Sequence, residues 1–411
     1  MSLKAVVLVG GAQKGTRFRP LSLQLPKPLF PIAGVPLIDH HISQLCELNN
    51  LSEIFLIGFY PTEEFTDFIE ECKKKYSVPV KYLQEQESQG TAGGLLHFQS
   101  QLLSGDPKGI FVLNADICGD LPFSDMVEEL EAQVKAQCLI LTTEATREQS
   151  INFGSVVIDS KDLKHPKGKV LHYVDKPSLY VSTHISCGIY LLRPQFWKQL
   201  EKAKADNAAT QLWLETEIFP AMASNGQLFA LHTTRWWSQT KSPSAALYAN
   251  RHYLRLYREK CPERLATGNL AEIVGDVVID PTAIIDPTAK IGPNVSIGAN
   301  AKVGAGVRIR ESIILQECVL EEHCCVLHSV IGWRSVIGCW ARVEGTPLAP
   351  NPNVPFAKLE NKPLFNCDGR LNPSLTILGS DVHVPRETVI LNSVVLPYKD
   401  LSSSYKNQII L

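Results

Sequence analysis

Val277-Val278-Ile279-Asp280-Pro281-Thr282-Ala283-Ile284-Ile285-Asp286-Pro287-Thr288-Ala289-Lys290-Ile291 repeats itself every six residues. One apolar column runs through Ile279, Ile285, Ile291, Ile297, Val303 and Ile309. A second, two residues earlier, runs through Val277, Ala283, Ala289, Val295, Ala301 and Val307. Positions two apart on a strand face the same way, so each pair marks a short strand with its inward side chains. Asp-Pro or Gly stands at the corners, where the chain must turn. A six-residue period with such corners predicts a left-handed hexapeptide β-helix. The phase slips over 311–319, resumes at Ile331, Ile337 and Val343, and returns at Leu378, Val384, Ile390 and Leu396.

The last two blocks are separated by 347–373, where six of 27 residues are Pro, against 26 of 411 in the whole chain. Proline withholds the N–H that a ladder needs, so this stretch is expected to project as a long loop. Loops of that length are either functional or disordered. Ahead of the β-helix the pattern is different. Ala5–Val9, Ile54–Ile57, Val80–Leu83, Ile110–Leu113 and Cys138–Thr142 are short apolar or β-branched runs. Amphipathic stretches such as Ile38–Leu48 and Glu63–Tyr76 lie between them. This order predicts an α/β domain, Rossmann-like, with a parallel or mixed sheet and helices on both faces. The expected organisation is a domain over 1–250, a helical connector over 251–276 entered by a helix at Ser244–Arg258, and the β-helix over 277–411.

Composition narrows the function classes. Forty Lys+Arg against 42 Asp+Glu give a net charge of −2, with 45% hydrophobic residues, as in an ordinary globular chain. No basic block suits nucleic acid or a membrane surface, and no apolar run approaches the length of a membrane span. Eleven Cys at irregular spacing read as reduced thiols. With no signal-peptide pattern at the N-terminus, a cytoplasmic location is expected.

The densest chemistry is Gly10-Gly11-Ala12-Gln13-Lys14-Gly15-Thr16-Arg17, followed by Pro26-Lys27-Pro28. Glycines after a strand let backbone N–H groups approach phosphates, and Arg17 and Lys27 can neutralise their charge. This stretch resembles the nucleotidyltransferase family that joins a nucleoside triphosphate to a sugar 1-phosphate. The likeness continues along the chain. Glu85 and Gly90-Thr91-Ala92-Gly93 resemble the segment that reads the base, and a carboxylate at Glu85 suits the N1–H and N2 amine of guanine. Leu113-Asn114-Ala115-Asp116 resembles the strand end whose Asp holds Mg²⁺. Phe153-Gly154, Val174-Asp175-Lys176-Pro177 and Cys187-Gly188-Ile189-Tyr190 resemble the sugar-phosphate side, and Glu215–Pro220 a further segment near the sugar. Together with the β-helix, the resemblance points to the GDP-mannose pyrophosphorylase branch.

Two departures from that branch shape the expected function. Active members have one residue between Gly-Gly and Gly-Thr-Arg, whereas Ala12-Gln13-Lys14 makes three. A displacement of about 1 Å can cost on the order of 10²-fold in rate. Active members also carry a second metal carboxylate where this chain has Ser238, in Trp236-Trp237-Ser238-Gln239, and no Asp or Glu occurs from Ile218 to Arg258. Mg²⁺ needs hard anionic oxygens, and it carries much of the charge stabilisation in transfer from a triphosphate. The resemblance is therefore to the regulatory subunits of the branch. It implies binding of GDP-mannose without a required cofactor, feedback control of a separate catalytic beta subunit, and self-association through the β-helix. The expected binding residues are Gly10, Gly11, Gly15, Arg17, Lys27, Glu85, Gly90, Asn114, Asp116, Gly154, Asp175, Lys176 and Gln239, with the Pro-rich loop expected to reach the partner's active site.

Other readings stay open. In an active mannose-1-phosphate guanylyltransferase, water would complete the Mg²⁺ shell on Asp116, and Arg17 and Lys27 would carry the reaction. An acyltransferase would need a His facing an acyl-carrier cleft, and His323, His328 and His383 sit in the repeats without that context. His323-Cys324-Cys325 with His328 matches no standard zinc spacing, and small Cys side chains suit the inward column of a β-helix. His40 and His41 are expected to be packing and surface residues of a helix, and Trp333 and Trp340 to pack at the β-helix flank.

Overall fold

The alternation of apolar runs and amphipathic stretches resolves into a single nine-stranded sheet. Its strands are β1 (Leu3–Gly10), β2 (Leu51–Gly58), β3 (Val80–Gln84), β4 (Gly109–Asn114), β5 (Cys138–Glu144), β6 (Gly154–Asp159), β7 (Lys167–Asp175), β8 (His184–Leu192) and β9 (Leu228–His232). The order across the sheet is β3-β2-β1-β4-β8-β5-β9-β7-β6. The computed structural model describes residues 2–11, 15–160, 162, 166–206, 211–267, 271–360, 362–369, 371–372 and 374–411. They divide into two compact units, one of Met1–Lys14, Ile38–Trp237 and Asn351–Lys358, the other of Gly15–Leu37, Ser238–Pro350 and Leu359–Leu411.

In the first unit the strands β3, β2, β1 and β4 run parallel. β8 runs antiparallel to both β4 and β5, β5 and β9 are parallel, and β7 is antiparallel to β9 and β6. The sheet is thus mixed, as the sequence predicts. The central parallel strands β1 and β4 are buried at nearly every position, as expected where helices cover both faces. Val6, Phe55, Ile57, Val112 and Ile140 sit in one core with Tyr190, Trp197 and Phe219. The helix expected at Ile38–Leu48 ends at Leu45, and the one at Glu63–Tyr76 runs Glu63–Lys75 with two acidic residues in its first turn and three lysines in its last, the polarity that a helix dipole favours.

The second unit contains the β-helix, built of three parallel sheets with seven, seven and five strands. Lys290 pairs with Glu272 and with Arg308, eighteen residues away on each side. From Arg308 onward the coil shortens, since Arg308 pairs with Cys325 and Cys325 with Arg342, seventeen residues apart. The missing residue explains the slip in phase. Glu311, His328 and Asn392, all with left-handed φ of 46–49°, occupy the tightened corners. The same shortening corrects one expectation, because Val395 and not Leu396 enters the core, paired with Leu378. Cys318 and Cys324 are buried in the inward column. The Asp-Pro-Thr corners are locked by side chains. Asp286 Oδ1 accepts from Thr288 N–H (2.8 Å) and from its hydroxyl (2.6 Å), while Thr288 Oγ1 accepts from Gly306 N–H one coil on (2.9 Å).

The helix Pro243–Lys260 packs within this second unit. Buried Asn250 accepts from Ala33 N–H (2.8 Å) and from the Ser296 hydroxyl (3.0 Å). The Pro-rich loop leaves the β-helix after Glu344 and returns at Thr376, yet Ser329–Ile331 pairs with Thr376–Leu378 as if nothing intervened. Its neck is closed by Thr346, whose N–H and hydroxyl both donate to Asn392 Oδ1 (2.8 and 3.0 Å). Within the loop, regular pairing among the described residues is limited to one bridge, Phe365 with Leu371.

Candidate nucleotide-sugar site

The carboxyl ends of β1, β2, β4 and β5 form the edge where open α/β sheets take their ligands. Gly10 ends β1 with φ +69°, and its carbonyl accepts from Phe59 N–H (2.9 Å). Gly11 has no room for a side chain, since a Cβ there would overlap the ring of Phe59. The second glycine is therefore required by an aromatic ring packed on it, a constraint that no motif announces. Ala12-Gln13-Lys14 lies outside the described residues. Gly15, Arg17 and Lys27 belong to the second unit. Gly15 lies beside Lys27, whose ammonium stands 5.8 Å from the centre of the Phe18 ring, while Arg17 is exposed.

Glu85 is buried, with its N–H donating to the Gly58 carbonyl at 2.7 Å. Gly94 lies so close that a Cβ would come 2.7 Å from Glu85 Oε1, which packs the carboxylate against the helix Gly90–His97. Gly90 adopts φ +81°, and a side chain there would overlap the Leu212 carbonyl. That carbonyl accepts from both Ala92 N–H (3.0 Å) and Gly93 N–H (3.2 Å), so the first turn of the helix is capped by the chain itself. Beside it a buried network joins three residues of the family-like segments that were not among the expected binding residues. Thr91 donates to Glu215 Oε2 (2.8 Å), Tyr190 donates to Glu215 Oε1 (3.3 Å), and Leu214 N–H donates to Thr91 Oγ1 (3.0 Å). Burial raises the Glu215 pKa, with nearby Asp175 adding to the rise and the bonds from Thr91 and Tyr190 opposing it. Glu215 lies in a single turn of π-helix, Leu214–Ile218, a local form often found at functional sites.

On the other side of the sheet, Gly154 and Asp175 are cross-strand partners of β6 and β7. Lys176 Nζ donates to Asp175 Oδ2 at 3.1 Å. Asn114 ends β4 against Gly188, and Asp116, half-buried, follows in the turn. His41, fully buried, donates from Nε2 to the Ile117 carbonyl (2.8 Å). Its desolvation depresses the pKa to about 4 despite opposing pulls from that carbonyl and Asp116. The expectation of a surface histidine in this pair is therefore corrected, because both His40 and His41 are buried between helix and sheet. Trp236 carbonyl accepts from Asp120 N–H (3.0 Å), and the indole of Trp237 donates to the Cys187 carbonyl (3.0 Å).

Ser238 is buried, and Gln239 Oε1 is buried with no hydrogen-bond partner among the described residues. An amide oxygen without a donor is costly, which marks Gln239 as able to accept from a ligand. Among the described residues, no group of three or more His, Cys, Asp or Glu side chains stands close enough to hold a metal ion. This includes His323, Cys324, Cys325 and His328, where His323 instead stacks on the ring of exposed Trp340 at 4.4 Å. A serine hydroxyl, as at 238, is a poorer ligand for Mg²⁺ than a carboxylate. All eleven cysteines are free thiols. Among the described residues no helix is long and apolar enough to cross a membrane.

Comparison with known proteins identifies the family. The "Nucleotidyl transferase" family model matches residues 4–255, and the "GMPPB C-terminal domain" model matches 273–410. The chain is 51% identical to the Homo sapiens protein named mannose-1-phosphate guanylyltransferase regulatory subunit alpha. It is 50% identical to the Drosophila melanogaster protein of that name and 49% to alpha-A of Danio rerio, each over 100% of both chains. A crystal structure of a Bacillus anthracis protein described as a glucose-1-phosphate thymidylyltransferase superposes with a TM-score of 0.52 at 20% identity, over 61% of this chain and 94% of that one. It supports the fold alone. The chain belongs to the nucleotidyltransferase family and, within it, stands among the regulatory alpha subunits of mannose-1-phosphate guanylyltransferase.

Proposed function

We propose that this chain is a regulatory subunit that binds GDP-mannose and transmits its presence to a separate catalytic beta subunit of mannose-1-phosphate guanylyltransferase. The observation that supports the reading is a nucleotidyltransferase sheet in a chain whose residue 238, a carboxylate in the active branch by the family resemblance, is a buried serine. In this reading Glu85 accepts from guanine, and Gly10, Gly11, Gly15, Arg17 and Lys27 serve the phosphates. Gly90, Asn114, Asp116, Gly154, Asp175, Lys176 and Gln239 complete the ligand contacts. Gln239 Oε1, buried without a donor, is suited to a hydroxyl of the sugar. Product bound here must favour one arrangement of the hetero-oligomer, and coupling energies of this kind run about 1–3 kcal/mol.

A second reading, the active guanylyltransferase with Mg²⁺, is favoured by Asp116 standing just past the carboxyl end of β4. One experiment separates the two. The purified chain is titrated with GDP-mannose in a calorimeter, and pyrophosphate release from GTP and mannose 1-phosphate is assayed on the same sample. Heat of binding without turnover is the expected result. Turnover proportional to this chain alone would replace the regulatory reading with the enzymatic one, and absence of binding would end both.

A further inference from the structure

Lys358 belongs to Asn351–Lys358, the part of the Pro-rich loop that lies in the first unit. One side chain fixes its backbone. Gln149 Oε1 accepts from Lys358 N–H (2.7 Å), and Gln149 Nε2 donates to the Lys358 carbonyl (2.8 Å). The amide thus gives Lys358 the double bonding that a neighbouring strand would supply. From that anchor the side chain runs inward. Its ammonium donates to Thr143 Oγ1 at 3.4 Å and stands 5.6 Å from the centre of the Trp237 ring.

The surroundings of this ammonium are ordered and specific. Trp237 is held by its bond to the Cys187 carbonyl and meets the ring of Phe153 edge-on at 5.8 Å. Thr143 is the penultimate residue of β5, Cys187 precedes the Gly188 that touches Asn114, and Phe153 precedes Gly154. The cation therefore stands at the ligand-taking edge of the sheet. Among the described residues it makes no ion pair, and the hydrogen bond to Thr143 uses one of its three donors. Buried lysines are ordinarily paired. Desolvation pulls the Lys358 pKa below the usual lysine range, with Cys187 and Glu144 pulling weakly the other way. The chain has moved a cation into a half-dry site and has not supplied the anion.

We infer that Lys358 binds a phosphate group of the ligand taken by the first unit, so that occupancy of the site and docking of the loop segment Asn351–Lys358 are linked. This rests on the reading of the unit as a nucleotide-sugar site, and it names a further group that meets the pyrophosphate charge. A compact ammonium with free donors is a point-charge partner for phosphate oxygens. Because Gln149 fixes the Lys358 backbone, any energy gained at the phosphate is also gained by the docked loop. Reciprocally, a loop held down binds the ligand more tightly.

The test is calorimetry on the full chain and on Lys358→Met, Lys358→Arg and Gln149→Leu, with GDP-mannose and, separately, inorganic pyrophosphate as probes. Lys358→Met should weaken both ligands by about tenfold or more and flatten the salt dependence of binding, while Lys358→Arg retains most of the affinity. Gln149→Leu, which leaves the ammonium intact but frees the loop, should weaken both ligands by a smaller factor. Melting curves without ligand show whether each variant is folded, and Gln149→Leu carries the test where Lys358→Met is not. Unchanged binding in the folded variants overturns the inference and leaves the nucleotide-sugar reading standing. Lys358-dependent binding of pyrophosphate with no affinity for GDP-mannose does the opposite. Tighter binding in Lys358→Met would make the loop a plug that the ligand must displace, which also overturns the inference. Failure of the unaltered chain to bind either probe ends both.

Discussion

The two units obtain their neighbours in opposite ways. In the β-helix, away from the inserted loop and the last coil, a residue's partner is seventeen or eighteen positions away on either side. In the first unit, β1 is bonded to strands beginning at Leu51 and at Gly109, and the ligand-taking edge gathers residues from Gly10 to Lys358. A repeat makes each position answer only to its adjacent coils. A doubly covered sheet makes each position answer to distant parts of the chain. The β-helix should therefore lose stability through its packing, and the first unit through the special positions where distant segments meet.

The largest test of that contrast is in the β-helix core. Ile309→Ala removes a fully buried side chain stacked between coils. It should cost about 2–5 kcal/mol in denaturant unfolding, with the loss confined to a transition reported by the second unit. A matching loss in the first unit would break the contrast.

Next comes the response to acid. His41 is neutral in the folded first unit, with its pKa near 4. As pH falls below about 6.5, the unfolded chain takes up a proton that the folded chain refuses until about pH 4. Stability should therefore fall across that window by about 3 kcal/mol. His41→Gln should flatten the dependence when unfolding is measured at pH 7 and 4.5. His252, in the second unit, is likewise pulled to about 4 by burial and by Arg255 and Arg251, so unfolding of that unit should show acid sensitivity of the same sign.

Smaller still is the effect at Gly90. With φ +81° and the Leu212 carbonyl against it, Gly90→Ala should cost about 1–3 kcal/mol. It should also loosen the cap on the first turn of Gly90–His97, which hydrogen exchange at Ala92 and Gly93 would report. The smallest effect is at a corner of the repeat. Thr288→Val removes both the donor to Asp286 and the acceptor for Gly306, and should cost about 1 kcal/mol while leaving the adjacent coils in register.

The same contrast explains what could be read from the residues. The β-helix was legible because its period writes every inward position twice over. The one misplacement, Leu396 for Val395, arose where a corner tightened around Asn392, and nothing in the apolar pattern records a deleted residue. In the first unit the parallel strands announced themselves as apolar runs. At the sheet's end the antiparallel β6 and β7 carry polar residues and did not. The glycines, Asp116 and the Asp175-Lys176 pair were visible as motifs, and Asp175 indeed stands opposite Gly154. Gln149 and Lys358 were invisible. Their meeting joins a short helical turn to a Pro-rich stretch 209 residues away, with no spacing to betray it.

The loop's neck has a further consequence in polymer terms. Gly345 N–H donates to the Leu327 carbonyl and Thr346 to Asn392 (2.9 and 2.8 Å), so the segment leaves and re-enters between two coils that are already hydrogen-bonded to each other. The closure entropy of such a segment grows only logarithmically, and each doubling of its length costs about 0.6 kcal/mol. The β-helix thus sets almost no limit on how long the excursion is. Its length is free to be tuned by whatever its far end must reach, without a coil being rebuilt.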